Sequence, residues 1–207
     1  MANSLACNIV LLPDSRITEM AIKASQDLEK FGTLFTLKIG SFYPHISIYR
    51  LQLPETDFEK ARSLLESIAK SRQVFNLRAE NYNQGERYWD VEYQKPDTLA
   101  QLQIKAVSIF EALREGLREN DRIRLATATG LVKENLEKYG DRAIGQLYRP
   151  HLTLTRFVDK PPLSLDEASP AVSEFSGEFP ELGLFEMGEN GTCRQRITSF
   201  KLSASIS

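Results

Sequence analysis

Two eight-residue stretches of this chain are near copies of each other: Tyr43-Pro44-His45-Ile46-Ser47-Ile48-Tyr49-Arg50 and Arg149-Pro150-His151-Leu152-Thr153-Leu154-Thr155-Arg156. From the proline on, each reads proline, histidine, apolar, hydroxyl, apolar, any residue, arginine, and the copies lie 106 residues apart. They also take up both histidines of the protein. An internal match of this kind limits the fold, because like patterns adopt like local structure and tend to come together around a pseudo-symmetry axis. Each copy alternates as a strand does, and successive strand side chains point to opposite faces. His45 and Ser47 therefore share one face and Ile46 and Ile48 the other. His151 and Thr153 are set against Leu152 and Leu154 in the same way. Two such strands side by side would line one cleft with two imidazoles and two hydroxyls.

That set suits cleavage of a phosphodiester without a metal. A neutral histidine takes a proton from the attacking water or hydroxyl, and a protonated one gives a proton to the departing oxygen. An unperturbed imidazole, with a pKa of about 6.5, can serve either way. The hydroxyls of Ser47 and Thr153 can hold non-bridging phosphate oxygens. A lone strand histidine is usually a packed or surface residue; the matched pair is what favours chemistry. Two histidines without a local carboxylate or cysteine cluster make a poor zinc site, which usually takes three or four protein ligands.

These residues resemble the two-histidine (2H) phosphoesterase superfamily, which includes bacterial RNA 2′,5′ ligase-like proteins and plant and fungal cyclic nucleotide phosphodiesterases. The shared signature is a pair of His-x-[Ser/Thr]-x motifs, met here by His45-Ile46-Ser47-Ile48 and His151-Leu152-Thr153-Leu154. The resemblance extends to length and to the order of expected elements. It implies an α+β, bilobal, duplicated fold: two antiparallel β-sheets facing a central cleft, with helices on the outside. Residues 1–207 would form a single domain whose lobes carry the motifs at 45–50 and 151–156. It implies His45 and His151 as the catalytic pair, Ser47 and Thr153 as phosphate ligands, and no cofactor. Family substrates include 2′,3′-cyclic phosphates, 1″,2″-cyclic phosphates and 2′,5′-linked RNA or oligoadenylate. The chain departs from closer relatives in a connector at 120–150 and in a proline-rich segment after the second motif, which leaves its substrate open.

The expected activity is hydrolysis of a cyclic phosphate or 2′,5′-type RNA ester, with a small nucleotide or RNA end as partner. Two alternatives share the same residues: a nucleotide- or RNA-end-binding module without turnover, and a 2′,5′ ligase running the reverse reaction. Tyr43 and Tyr148, just ahead of the motifs, are candidates to stack on a base or bond a phosphate, with ordinary packing an equal reading. Trp89 reads as core. Strand parity sets Arg50 and Arg156 out of phase with the histidines, as salt-bridging or edge residues, unless a bulge re-aims them.

Elsewhere, Leu5–Leu12 reads as a buried strand and residues 14–30 as a helix. Strands are expected over 33–39 and 45–53, and a helix over 55–70. A hairpin is expected from 73–82 and 87–93 around Asn83-Gln84-Gly85-Glu86, then a long helix over 97–119. The connector reads as short helix over 130–139. Lys160–Ser164 and Ala168–Pro170 read as loop, and 173–187 with 192–205 as two terminal strands.

With 207 residues, 42% of them hydrophobic, the chain can bury a core without a partner, and a monomer is expected. Its 26 Lys+Arg against 28 Asp+Glu leave no large positive field to hold a long nucleic-acid backbone. Cys7 and Cys193 lack metal or redox spacing and read as reduced, buried thiols. The start of the sequence has no leader pattern and no run approaches a membrane span, so a soluble cytoplasmic protein is expected.

Overall fold

The structure is a computed structural model and describes residues 3–85, 87–160, 165 and 169–203. Glu86 of the expected hairpin turn and most of the proline-rich loop, residues 161–164 and 166–168, lie outside the described residues.

Strand β1 (Ser4–Leu12) is the apolar run that opens the chain, buried from Cys7 onward. Helix α1 (Ser15–Asp27) starts where the Asp14 carboxylate accepts a hydrogen bond from the Ile17 amide at 2.8 Å. Such a cap stabilises a helix by about 1 kcal/mol. Then come β2 (Ile46–Pro54), α2 (Phe58–Lys70), β3 (Phe75–Leu77), β4 (Ala79–Gln84) and β5 (Tyr88–Tyr93). Helices α3 (Asp97–Phe110), α4 (Glu119–Leu125) and α5 (Gly130–Tyr139) precede β6 (His151–Arg156), β7 (Gly177–Phe179), β8 (Glu181–Met187) and β9 (Cys193–Lys201).

This is an α+β fold. Seven strands form one antiparallel sheet in the order β4-β5-β6-β2-β1-β8-β9, and β3 with β7 forms a small second sheet. The two motif strands are thus neighbours in one sheet, where two facing sheets were expected. They are joined by one residue pair, Ile46 with Leu152, whereas the ladders on either side run for several residues. The sheet is in effect two half-sheets meeting at a seam between the motifs. One continuous core covers its inner face: Ile46, Ile48, Leu152 and Leu154 pack in the same cluster as Ile17 and Ala21 of α1, Leu65 of α2 and Leu102 and Ala106 of α3.

Several expectations are corrected. Residues 33–39 make only isolated bridges, Thr33 to Phe157 and Lys38 to Phe42. Between these bridges side chains complete the backbone bonding, the Leu37 amide donating to Ser25 and the Phe35 carbonyl accepting from Thr155. The long helix ends at Phe110, passing through a 3-10 turn to extended Arg114 and left-handed Gly116. The arm over 73–82 divides, because β3 leaves to pair with β7. The stretch 173–187 also divides, at Pro180, which has no amide to give a ladder. The short helix at 130–139 is α5. Both cysteines are free and buried, and no helix among the described residues is long and apolar enough to cross a membrane.

Candidate active site at the strand seam

The seam pair fixes the geometry of the motifs. One step out from Ile46 and Leu152, antiparallel register sets His45 across from Thr153 on one side and Ser47 across from His151 on the other. All four lie on the face opposite the buried Ile46, Ile48, Leu152 and Leu154, and all four are partly exposed. The structure brings together the four residues that the repeat singles out, around a local two-fold axis through the Ile46–Leu152 pair.

The repeat goes deeper than the sequence pattern. In the ladder with β1, Ile9 pairs with Tyr49 but Val10 pairs with Ser47, so Ile48 is an extra residue in β2. In the ladder with β5, Trp89 pairs with Thr155 but Asp90 pairs with Thr153, so Leu154 is an extra residue in β6. Each motif carries a β-bulge at the same position. A bulge leaves a backbone group without its ladder partner, and a helix side chain supplies one in each case. Gln103 of α3 donates to the Ile48 carbonyl at 3.3 Å, and Ser25 of α1 donates to the Leu154 carbonyl at 2.7 Å. The next residue donates its hydroxyl to a backbone carbonyl, Tyr49 to Tyr139 at the end of α5 and Thr155 to Phe35, both at 2.7 Å.

The bulges shift the alternation by one. Burial passes from Ile46 and Ile48 to Tyr49, Leu51 and Leu53, and from Leu152 and Leu154 to Thr155 and Phe157. Arg50 and Arg156 are consequently turned to the histidine face, against the reading from parity. Along the seam the order is Arg50, then Ser47 with His151, then His45 with Thr153, then Arg156.

Both imidazoles are fixed alike. Nδ1 of His45 donates to the Tyr43 carbonyl at 2.8 Å, and Nδ1 of His151 to the Arg149 carbonyl at 2.7 Å. A carbonyl only accepts, so Nδ1 carries the proton and a neutral ring keeps its lone pair on Nε2. Burial pushes the His45 pKa down to about 4, against the pull of the Tyr43 carbonyl, and the nearby charges of His151 and Arg50 push it further. At neutral pH His45 is an uncharged acceptor.

The surroundings of the two halves differ. Asn8, buried in β1, donates from Nδ2 to Ser47 Oγ at 2.8 Å and approaches His45 Nε2 at 3.4 Å. On the other half, Thr153 Oγ1 donates to the Asp90 carboxylate at 2.6 Å, and Glu92 pairs in register with His151. Arg149 reaches both carboxylates, Glu92 at 2.8 Å and Asp90 at 3.7 Å. Amides of Asn81 and Asn83 and the charges of Arg149 and His151 hold the Glu92 carboxyl below its usual range despite its partial burial.

The arginines differ too. Arg50 is clamped by Asp141 through two bonds of 2.9 and 2.8 Å. Burial alone would raise the Asp141 carboxyl, but Arg50 and Arg118 bring it down to about 2. Arg156 instead donates to Asn190 Oδ1 at 2.6 Å and lies over the Tyr88 ring. Asn190 is the one non-glycine residue with positive φ among the described residues.

Tyr43 packs on Phe185 with Arg196 over its ring, at the edge of the site. Tyr148 is 5% exposed and belongs to the core, offering no surface to a ligand. Trp89 is also core, stacked on Tyr82. Asn8, Asp90, Glu92, Arg149 and Asp141 were not singled out by the motifs. Two of them had a signal, Asn8 as the polar residue inside the apolar run 5–12 and Asp90 as a charge between Trp89 and Val91.

A family model described as "Protein of unknown function (DUF1045)" matches residues 51–183. The chain belongs to that family. The matched span of this DUF1045 protein includes the second motif and begins just after the first. No curated protein matches it in sequence. Among solved structures it is similar to TT0787 of Thermus thermophilus, with a TM-score of 0.59 and 16% identity over 97% of this chain and 100% of that one. It is also similar to E. coli LigT in apo form, with a TM-score of 0.54 and 17% identity over 97% and 99% of the two chains. LigT complexed with 3′-AMP gives a TM-score of 0.54 at 18% identity, with the same coverage. The likeness is one of fold, over 97% of this chain, and it agrees with the resemblance to two-histidine phosphoesterases in its α+β class.

Proposed function

We propose that this DUF1045 protein is a phosphodiesterase that hydrolyses a cyclic phosphate or a short 2′,5′-type RNA ester by proton transfer between two histidines. The observation that carries the reading is the seam itself. It sets a neutral imidazole, with its Nε2 lone pair free of a proton, and a second imidazole on the same face, one step to either side of the Ile46–Leu152 pair, each with a hydroxyl opposite.

In this reading His45 is the base and takes a proton from water as its oxygen attacks phosphorus. His151 is the acid and protonates the ester oxygen as the phosphorus–oxygen bond breaks. Acid–base help of this kind is worth about two to four orders of magnitude per participant. Ser47 holds a phosphoryl oxygen, and the seam forms the floor of a cleft between two lobes of one domain. No step requires a metal, because both proton transfers have a group in place. Other LigT crystals contain phosphate, ATP and NADP+, which supports a small nucleotide as the substrate class here.

Phosphorus NMR of the chelator-treated protein with 2′,3′-cyclic nucleotides, a 1″,2″-cyclic phosphate and 2′,5′-linked dinucleotides tests this. Conversion of at least one is expected, with loss in both His45→Ala and His151→Ala. Binding without any product from a pure sample would overturn the proposal and favour a binding module.

A further inference from the structure

The two hydroxyls of the repeat are equivalent in sequence, but their hydrogen bonds run in opposite senses. Ser47 Oγ accepts a hydrogen bond from the Asn8 amide, which leaves its own O–H to donate. Thr153 donates its O–H in a hydrogen bond to Asp90, a carboxylate that is 4% exposed and can only accept. What Thr153 has left for the site is a lone pair. Across the seam from it stands His45, whose Nε2 also presents a lone pair because Nδ1 holds the proton and the ring stays neutral, with the Asn8 amide no nearer to it than 3.4 Å. The His45–Thr153 level of the site is thus built from two acceptors, and the Ser47–His151 level includes a hydroxyl free to donate.

Two facing acceptors match a water molecule, which has two protons to place. We infer that Thr153 orients the attacking water by accepting its second hydrogen bond, and that Asp90 is a positioning residue that makes Thr153 an acceptor by holding its proton. This rests on the hydrolytic reading above and departs from it in giving Thr153 to the nucleophile, where the sequence pattern gave it to the phosphate. In the step, the water oxygen bonds to phosphorus while one of its protons passes to His45 Nε2. The other proton stays on that oxygen, directed at Thr153 Oγ1. The bond from phosphorus to the leaving oxygen breaks, and His151 gives that oxygen a proton. Solvent later restores both histidines.

Methanol separates this role from phosphate binding, because it can attack the same phosphorus but has a single hydroxyl proton, which His45 takes. In mixed methanol and water, a 2′,3′-cyclic nucleotide gives the nucleoside monophosphate by hydrolysis and its methyl ester by methanolysis. The ratio of the two products is read from one sample and does not depend on how much protein is folded. Thr153→Val should lower the ratio of hydrolysis to methanolysis by about five- to tenfold, the worth of one hydrogen bond to the nucleophile. Asp90→Ala should shift it in the same direction, Thr153→Ser should restore it, and Ser47→Ala should slow both products equally. If Thr153→Val and Asp90→Ala leave the ratio at the wild-type value, Thr153 serves the phosphate and the inference is wrong while the hydrolytic reading stands. A wild-type protein that makes neither product sinks the hydrolytic reading itself.

Discussion

The halves of the seam share a motif, a bulge, a helix side chain that completes the bulge and an arginine, yet they sit in different electrostatic settings. The β2 half is neutral and the more enclosed of the two. Asn8 is its neutral partner, His45 is held neutral by its partial burial, and Arg50 is neutralised by a buried carboxylate. The β6 half is acidic and more open, with Asp90 on Thr153, Glu92 beside His151 and a half-exposed Arg149 across both carboxylates. A duplicated motif supplies two like reagents, whereas acid–base chemistry needs two unlike ones. Here the difference resides in the neighbouring strands, β1 on one side and β5 on the other.

The comparison can be broken in several ways. The largest effect is expected from the histidines. His45→Ala and His151→Ala should each lower kcat on a 2′,3′-cyclic nucleotide by about two to four orders of magnitude. A variant that keeps full activity would remove its half from the chemistry. Next comes the Arg50–Asp141 pair, in which the Asp141 side chain is 2% exposed. Removing one partner of a buried pair typically costs about 3–5 kcal/mol, so Asp141→Ala should show that loss in urea denaturation, and Asn190→Gly on the matching Arg156 only about 1 kcal/mol. Equal costs would mean that the two arginines are held alike.

A smaller effect should appear with pH. Because His45 is held at about 4, below the usual 6.5 or so, it stays a base as pH falls through the ordinary histidine range. The acidic limb of kcat/KM set by His45 should therefore lie near pH 4. The sign for stability follows from the same shift: the unfolded chain binds the proton first, so the contribution is complete above about pH 6.5 and is lost as pH falls toward 4. An acidic limb near pH 6.5 that His45→Ala leaves in place would show that His45 is not the base.

Much of this site was legible in the sequence, and the rest was not for definite reasons. Alternation about His45 and His151 gave the face that carries the imidazoles and hydroxyls, because parity is local. The bulges at Ile48 and Leu154 were not visible, since a bulge is defined by the partner strand. Parity alone puts Arg50 and Arg156 opposite the histidines, and only the bulges re-aim them. Asp141 lies in the connector over 120–150, where short helices and turns leave no periodicity to read, and its link to Arg50 spans 91 residues of chain. The strand expected at 33–39 failed because Ser25 and Thr155 hold its backbone in place of a ladder.

The most direct test of unlike roles for like histidines is to change the leaving group. A phosphodiester with p-nitrophenolate as leaving group needs no protonation as it departs, so it has no use for an acid but still needs a base. On that ester His151→Ala should keep wild-type turnover to within about tenfold, while His45→Ala stays down by about a hundredfold or more. If the two variants are impaired equally, or if His45→Ala is the one that recovers, the assignment of base to the β2 half and acid to the β6 half is contradicted.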